Sequence, residues 1–319
     1  MTPLVGIESI RDAARGLRGV AVRTPLLPAP WLGEAAGVEV RLKCESFQPI
    51  GAFKLRGAYT MVARLSASER ARGVITYSSG NHAQAVAFAA RAFGIPAVIV
   101  MPVNAPAIKM EGTRRLGGAV VLQGTTSEER RELAESIRAE RDLVMVPPFD
   151  HADIIAGQGT VGLEVLEDWE EVETILVPIG GGGLISGLAA AVKAERPDVR
   201  VIGVEPVGAP SMRRALDAGE PVTLDAVDSI ADGLLPTRVG ALTFAHCREL
   251  VDDVVLVEDD AIRQAAAQLL IRGKLLTEYS GAATTAAVLA AGAAAGRTAV
   301  VVSGGNIDPS RIPELLAAM

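Results

Sequence analysis

The stretch TILVPIGGGGLISGL, residues Thr174 to Leu188, shows how this chain folds. Its first five residues are typical of a buried strand, four glycines follow at Gly180 to Gly183, and Leu184 begins a helical pattern. A strand that runs through a short turn into a helix is the repeating unit of an α/β fold. The glycines let the main chain approach a ligand closely, and the free N–H groups of the helix favour an anion such as phosphate. A tight turn without a ligand is an equally good interpretation of this stretch alone.

The same alternation of strand and helix recurs along the chain. It predicts strands at residues 73–77, 97–101, 119–122, 174–178, 201–205 and 298–302, and helices at residues 82–93, 107–116, 127–140, 184–195, 264–274 and 281–291. Pro147-Pro148 interrupts the pattern. We therefore expect a two-domain α/β fold with parallel sheets flanked by helices. Residues 1–65 plus 149–319 would form a large cofactor-binding domain, and residues 73–148 a small inserted α/β domain.

Composition excludes several classes of protein. A formal charge of −7 without a basic run argues against nucleic acid as a partner. The N-terminus has no apolar run long enough for a signal peptide, and the most hydrophobic window, residues 282–302, is broken by Arg297 and two glycines. Cys44 and Cys247 are too far apart to suggest a disulfide framework. We expect a cytoplasmic protein with no membrane partner.

Lys54 is enclosed by apolar residues in SFQPIGAFKLRG, residues Ser46 to Gly57. Burial disfavours the charged form of a lysine, so its pKa falls and a neutral, nucleophilic amine becomes accessible. A lysine that forms a Schiff base needs these properties. The alternative is a lysine that begins a helix and extends its ammonium into solvent.

Two further stretches place polar residues at strand ends. YSSGNHAQ, residues Tyr77 to Gln84, brings hydroxyls, an amide and main-chain N–H groups to a helix N-terminus, which suits a carboxylate or a ring hydroxyl. Simple helix capping and a structural His82 are the alternatives. In VVVSGGNID, Ser303 follows a strand, where α/β proteins bind ligands, although a serine there is often only a turn residue.

In their order along the chain, SFQPIGAFKLRGA, SSGNHAQ, PIGGGG and SGGNID resemble the motifs of the pyridoxal-phosphate enzymes with the tryptophan-synthase-β fold, called fold type II. Within that fold the chain is most similar to threonine and serine dehydratases and to serine racemase. The similarity covers nearly the whole chain, since it includes AGQGTVGLEVLED (Ala156 to Asp168) and SIADGLLPTRVGALTF (Ser229 to Phe244).

The resemblance implies a role for each of these motifs. Lys54 would form the Schiff base and act as general base, Ser303 would face the pyridine nitrogen, and Asn81 would hydrogen-bond the ring hydroxyl. Ser79 would reprotonate the α-carbon from the opposite face in a racemase. The implied cofactor-binding residues are Phe53, Lys54, Asn81, Gly180, Gly181, Gly182, Gly183 and Ser303, and the implied substrate-binding residues are Ser78, Ser79, Gly80, Asn81 and His82.

The implied activity is that of a dehydratase, or ammonia-lyase, which converts a β-hydroxy amino acid, L-threonine or L-serine by default, to a 2-oxo acid and ammonia. A serine at the ring nitrogen gives a weaker electron sink than a carboxylate and favours prompt loss of the β-substituent. Serine racemase and 3-hydroxyaspartate dehydratase are alternatives, and the latter needs an arginine such as Arg56 or Arg238. A non-catalytic protein that binds the cofactor or another phosphate ligand is the alternative of another class, but the intact Lys54 argues against it.

The resemblance also leads to expectations about metal binding, oligomeric state and regulation. Glu205 and Ala209 match two ligands of the family's metal site, but Ser211 stands where a second carboxylate would lie, so we expect weak or absent binding of Mg²⁺ or Ca²⁺. A homodimer is expected, as is the absence of a regulatory domain. Glu278 lies where the family has an acidic residue near the cofactor, although an exposed helix end is an alternative. The roles of Asp232 and Arg238 stay open.

Overall fold

The computed structural model describes residues 3–78, 80–105 and 107–317, which form ten strands and fourteen α-helices. The strands are β1 (Leu26–Pro28), β2 (Val40–Cys44), β3 (Val74–Tyr77), β4 (Ala97–Met101), β5 (Ala119–Leu122), β6 (Val144–Met145), β7 (Thr174–Pro178), β8 (Arg200–Pro206), β9 (Asp253–Val257) and β10 (Thr298–Val302). The helices are α1 (Ile7–Gly16), α2 (Pro30–Ala36), α3 (Lys54–Arg64), α4 (Ala67–Arg72), α5 (Asn81–Phe93), α6 (Ala107–Arg115), α7 (Ser127–Arg141), α8 (Ala152–Asp168), α9 (Gly183–Glu195), α10 (Ser211–Ala218), α11 (Ala241–Leu250), α12 (Asp259–Ile271), α13 (Tyr279–Ala291) and α14 (Ile312–Ala317).

The strands form two sheets. The larger has the order β1-β2-β10-β7-β8-β9, in which β1 pairs antiparallel with β2 and the other neighbours pair parallel. The smaller has the order β5-β4-β3-β6 and is parallel throughout. The expected α/β fold with parallel sheets flanked by helices is confirmed. The exact domain limits stay a prediction.

Both sheets are covered by apolar side chains on two faces. In β10, Val300 and Val302 belong to one buried cluster, whereas Ala299 and Val301 belong to the cluster on the opposite face. Strands of a parallel sheet with helices on both sides need continuous apolar runs rather than alternation. The small number of aromatic residues therefore has a structural reason, since aliphatic side chains fill these layers.

Helix α3 connects the two sheets. Leu55, Ala58 and Val62 pack in the same buried cluster as residues of β3 and α5 in the smaller sheet. Its N-terminus, however, is bound to the larger sheet, because the Phe53 N–H donates to the Ser303 carbonyl oxygen at 3.1 Å. Lys54, the first residue of α3, is thereby placed between the two sheets.

Some predicted boundaries were wrong. Helix α12 begins at Asp259 rather than at residue 264, because Asp259 and Asp260 in its first turn favour a helix N-terminus. Strand β9 and the helices α10 and α11 were not predicted. No helix within the described parts of the chain is long and apolar enough to cross a membrane.

Candidate active site

Strand ends from both sheets converge at one place. Ser303 follows β10 and Gly180 follows its parallel neighbour β7, so both lie at the same edge of the larger sheet. From the smaller sheet, β3 leads into the turn that contains Ser78 and Gly80 and then into α5, which begins at Asn81. Ser79, the predicted second catalytic residue, lies outside the residues that the structure describes.

Lys54 carries its amine into this region. Its Nζ donates to the carbonyl oxygen of Pro148 at 2.7 Å and lies 5.3 Å from the centroid of the Phe53 ring. Burial lowers the pKa of Lys54 from 10.5 to about 8. A large fraction of the amine is therefore neutral in mildly alkaline solution, as the apolar sequence around it predicts.

The glycine turn leads into a helix N-terminus without a side-chain cap. Gly182 has φ +93°, in the left-handed region, and no side chain in the described part of the chain caps α9. Close packing fixes the turn, since a Cβ atom on Gly181 would lie 2.1 Å from Phe149 Cδ1. Thr243 Oγ1 also donates to the Gly181 carbonyl oxygen at 2.8 Å. The first N–H groups of α9 are thus available for an anion.

The orientation of the Asn81 amide follows from its neighbours. Asn306 Nδ2 donates to the Ile50 carbonyl oxygen and to Asn81 Oδ1, both at 2.8 Å. Asn81 Nδ2 in turn donates to Glu278 Oε1. An amide nitrogen has two hydrogens, so the second N–H of Asn81 remains to be donated elsewhere.

Glu278 is buried beside Asn81 and is not an exposed helix end. Its side chain is 4% exposed, and Lys109 Nζ lies 3.3 Å from its Oε2. The same Nζ lies 2.6 Å from Asp232 Oδ2. Burial raises the pKa of Glu278, while the charge of Lys109 opposes this rise. Asp232, whose role the sequence left open, belongs to this cluster.

His82 is neutral. It is 2% exposed, and burial lowers its pKa to about 3, with the charge of Lys54 acting in the same direction. Its Nε2 lies 3.0 Å from the Val146 carbonyl oxygen, so Nε2 carries the hydrogen.

In the predicted substrate turn, the Gly80 N–H donates to Ser78 Oγ at 3.2 Å. Ser303 is 4% exposed.

A family model described as pyridoxal-phosphate dependent enzyme matches residues 17–304 of this sequence. The chain belongs to this enzyme family. Its members are enzymes that use pyridoxal phosphate, and the expectations of enzyme class and cofactor are confirmed.

Individual relatives in the family include both activities implied by the motifs. An L-threonine ammonia-lyase of Thermotoga maritima is 44% identical over 314 residues, which are 98% of this chain and 78% of that protein. A serine racemase of Oryza sativa subsp. indica is 42% identical over 309 residues, 95% of this chain and 91% of that protein. The structure of maize serine racemase matches with a TM-score of 0.94 and 39% identity, over 99% of this chain and 98% of that one.

The site of this pyridoxal-phosphate enzyme fits its cofactor. Lys54 offers an amine with a lowered pKa, α9 offers main-chain N–H groups with no competing side chain, and Asn81 offers an oriented N–H group. An aldehyde, a phosphate and a ring hydroxyl require these three kinds of group.

The two arginines considered for a second substrate carboxylate have different surroundings. Arg56 is 1% exposed, and its guanidinium binds Glu45 Oε1 at 2.7 Å and Glu164 Oε1 at 2.6 Å. Arg238 is exposed and donates to Thr223 Oγ1 at 3.0 Å. Arg56 is therefore engaged within the protein and is not free for a dicarboxylic substrate.

The residues at the family's metal position are bonded to the protein itself. Glu205 Oε1 accepts from the Met212 N–H at 2.7 Å, and Oε2 accepts from the Arg213 N–H at 2.9 Å. The Ala209 carbonyl oxygen accepts from the Ser211 N–H at 3.0 Å. These residues fit a divalent cation poorly, because a neutral serine stands in place of a second carboxylate and N–H groups compete for the oxygens of Glu205 and Ala209.

Sequence reasoning missed several residues of the site. Lys109 looks like an ordinary surface residue of a polar helix, and only the fold brings it to Asp232 and Glu278. Asn306 lies inside the SGGNID motif, and an amide after two glycines at a strand end was a usable signal. Phe149 directly follows Pro147-Pro148, which was interpreted only as a boundary.

Proposed function

We propose that this enzyme removes water and ammonia from a β-hydroxy amino acid, L-threonine or L-serine, and releases a 2-oxo acid. The observation that carries the proposal is Lys54, a buried amine with a lowered pKa that a single carbonyl oxygen holds among converging strand ends. The names of the relatives support the substrate class, since they include an L-threonine ammonia-lyase and a serine racemase.

The cofactor would be held by the groups that sequence and geometry both select. The α9 N-terminus with Gly180, Gly181, Gly182 and Gly183 would bind the phosphate, and the second N–H of Asn81 would be donated to the ring hydroxyl. Phe53 would pack against the ring, and the Ser303 hydroxyl would meet the ring nitrogen. Bound pyridoxal phosphate supplies an electron sink for the bonds at the substrate α-carbon.

The protein side of the reaction is a proton transfer at Lys54 Nζ. The free Nζ would accept the α-proton of the substrate, because its lowered pKa leaves much of the amine neutral near pH 8. Ser78, Ser79 and Gly80 would hold the substrate carboxylate and so orient the α-hydrogen. The neutral Ser303 hydroxyl at the ring nitrogen would make the cofactor a weaker electron sink than a carboxylate would, which favours loss of the β-hydroxyl.

Serine racemisation is the second candidate, and the 42% identical racemase from rice is the observation that favours it. Ser79 is the residue on which this activity would depend. A 3-hydroxyaspartate dehydratase is disfavoured because Arg56 is engaged by two carboxylates. A non-catalytic role is disfavoured because binding a phosphate does not require a buried amine.

We infer that the enzyme works without a divalent cation at Glu205. Burial raises the pKa of Glu205 to about 7, so the carboxyl needs little positive charge, and the N–H groups of α10 supply its hydrogen bonds. We also propose that the enzyme forms a homodimer, that it is cytoplasmic and that it does not bind nucleic acid. The net charge of −7 supports the last of these.

The test is 2-oxo acid release by the enzyme loaded with pyridoxal phosphate. The panel contains both enantiomers of serine and threonine and the 3-hydroxyaspartates. We expect release from L-threonine or L-serine and none from the 3-hydroxyaspartates. Inversion of serine without release would favour the racemase, and release from a 3-hydroxyaspartate alone would contradict the proposal.

A further inference from the structure

Lys109 connects the two sheets at the edge of the site. It lies on α6, next to the smaller sheet, whereas its partners Asp232 and Glu278 lie in the part of the chain that forms the larger sheet. Its side chain is only 5% exposed. A lysine is rarely buried to this extent unless it is paired, and here two carboxylates share one ammonium.

Lys109 also lies directly over the predicted substrate turn. A Cβ atom on Gly80 would be 2.8 Å from Lys109 Cδ and 3.2 Å from Nζ. The end of the Lys109 side chain thus occupies the space that a side chain at residue 80 would need. The position of Lys109 is therefore fixed by packing as well as by charge.

A continuous chain of contacts runs from Lys109 to Asn81. The ammonium faces Glu278 Oε2, an atom that forms no hydrogen bond of good geometry among the described residues. The other oxygen, Oε1, accepts from Asn81 Nδ2. Because Glu278 is buried, its negative charge is stable only beside a positive one. Within the described part of the chain, Lys109 supplies this positive charge.

We propose that Lys109 is a positioning residue that keeps Glu278 ionised, so that Glu278 holds Asn81 with its second N–H directed at the cofactor ring hydroxyl. The inference rests on the proposed function, because it takes Asn81 to meet that ring. An ionised Glu278 can only accept hydrogen bonds, which fixes Nδ2 of Asn81 towards it. A protonated Glu278 could donate instead of accept, and the Asn81 amide would then be oriented only from its other end, by Asn306 Nδ2.

The substitution Lys109→Met removes the charge and keeps much of the side-chain volume. We expect the apoenzyme to bind pyridoxal phosphate about tenfold more weakly, since a charge-assisted hydrogen bond is lost. The pH at which the visible absorption band of the bound cofactor changes should move by about half a unit, because the ring hydroxyl has lost an oriented donor. Lys109→Arg, which keeps the charge, should restore most of both properties.

Lys193 provides a matched control away from the site. It is also a largely buried lysine, 16% exposed, and its Nζ lies 2.8 Å from Asp252 Oδ2. Lys193→Met should lower the melting temperature without moving the absorption titration or the cofactor affinity. If Lys109→Met and Lys193→Met give the same titration and the same affinity, Lys109 is an ordinary ion pair and the proposal is wrong.

A double-mutant cycle tests the route through Glu278. In a Glu278→Gln background, Lys109→Met should change cofactor affinity by less than about twofold, because coupled residues are non-additive. A full tenfold loss of cofactor affinity in that background would show that Lys109 does not act through Glu278.

Asp232→Asn, at a side chain that is 41% exposed, gives a milder variant if Lys109→Met does not fold. Because Asp232 is a negative charge close to Glu278, its removal favours the ionised Glu278, so this variant should shift the same titration in the direction opposite to Lys109→Met. A shift in the same direction as Lys109→Met would count against the proposal. Failure of the proposed function is separate, since the unaltered protein would then show no cofactor band or release no 2-oxo acid.

Discussion

At the scale of single residues, the chemistry depends on desolvation. Among the described residues Lys54 has no carboxylate partner to keep it charged, only the Pro148 carbonyl oxygen, and so burial lowers its pKa. Lys109 is buried too, but two carboxylates raise its pKa despite the loss of solvent. The same residue type thus serves as a base in one position and as a fixed positive charge in the other.

The pKa of Lys54 sets the pH dependence of cofactor uptake. A neutral amine is needed to attack the aldehyde, so the rate at which the apoenzyme takes up pyridoxal phosphate should rise with pH, with a midpoint near 8 rather than 10.5. Stopped-flow absorbance over a pH series measures this. Lys54→Ala should give no such visible band at any pH. A midpoint above 10 would show that the amine is not desolvated.

Gly181 should tolerate no side chain. A Cβ atom there would lie 2.1 Å from Phe149 Cδ1 and 2.3 Å from Cε1, so Gly181→Ala must displace either the turn or the ring. We expect cofactor affinity to fall about tenfold or more, as overpacking distorts the N–H groups of α9. Equilibrium dialysis of the apoenzyme with pyridoxal phosphate measures the loss.

Two variants identify the cause of that loss. Phe149→Leu, combined with Gly181→Ala, should recover part of the affinity because it shortens the opposing side chain. Gly16→Ala, where no atom of the residues that the structure describes lies within 4 Å of the new Cβ, should leave cofactor binding unchanged. Undiminished affinity in Gly181→Ala alone would remove this turn from the phosphate site.

At the scale of elements, the main-chain N–H groups at helix N-termini are available to bind anions and carboxylates. The N-terminus of α9 is left without a side-chain cap beside the glycine turn, whereas that of α10 is bonded to the buried Glu205. The N-terminus of α11 is capped by Asp150, whose Oδ1 accepts from the Leu242 N–H at 3.0 Å. Three helices that follow loops thus differ in what their first N–H groups bind.

The α10 contact predicts how a cation requirement could be created. Ser211→Asp places a second buried carboxylate close to Glu205, because Ser211 Oγ lies 3.3 Å from Glu205 Oε1. We expect the variant to lose about 2 kcal/mol of unfolding free energy in a chelator, and to regain it with Mg²⁺ or Ca²⁺. Thermal unfolding with and without the cation measures both changes.

The matched variant Ser211→Asn has a similar shape without the charge. It should show no rescue by either cation. The unaltered enzyme should melt at the same temperature in chelator and in millimolar cation. A cation-dependent rise in its melting temperature would contradict the role we assign to α10.

At the scale of the whole molecule, a buried ionic cluster holds the elements around α3 together. Arg56 on α3 binds Glu45, which follows β2 of the larger sheet, and Glu164 on α8. Lys43 Nζ also lies 2.6 Å from Glu164 Oε2. Burial by itself would raise the pKa of Glu45, but the charge and hydrogen bonds of Arg56 lower it below its usual value.

Removal of Arg56 should therefore destabilise the fold strongly. Arg56→Met leaves Glu45 buried without its partner and should lower the unfolding free energy by about 3–5 kcal/mol, measured by denaturant unfolding at pH 7. The exposed Arg23, which pairs with Glu167 at 2.7 Å, is the control, and Arg23→Met should lower it by about 1 kcal/mol or less. Equal losses in the two variants would contradict the argument.

The pH dependence of the Arg56→Met variant carries a defined sign. A carboxyl whose folded pKa is depressed stabilises the fold above its ordinary pKa, and this contribution is lost as the pH falls through the folded value. The difference in unfolding free energy between Arg56→Met and the unaltered enzyme should therefore become smaller as the solution becomes acidic. A difference that widens in acid would show that Glu45 is not the group responsible.

The sequence predicts secondary structure and local motifs, but not contacts between residues that are far apart in the chain. The strand at residues 97–101 is found because five apolar residues in a row suit a strand covered on both faces. Strand β9 is missed because Asp252 and Asp253 precede its short apolar run at the edge of the sheet. The motif residues are found by local pattern, whereas Lys109 and Asp232 are 123 positions apart and meet only through the packing of two sheets.

The five residues from Val146 to Asp150 have a consequence for how the chain could be cut or rejoined. This short crossing between the sheets binds His82 and Lys54 through its carbonyl groups, covers the glycine turn with Phe149 and caps α11 with Asp150. Loops that merely join elements tolerate nicks and new termini. A proteolytic nick or a circular permutation here would instead release all of these contacts together, so engineered termini belong on another loop of the molecule.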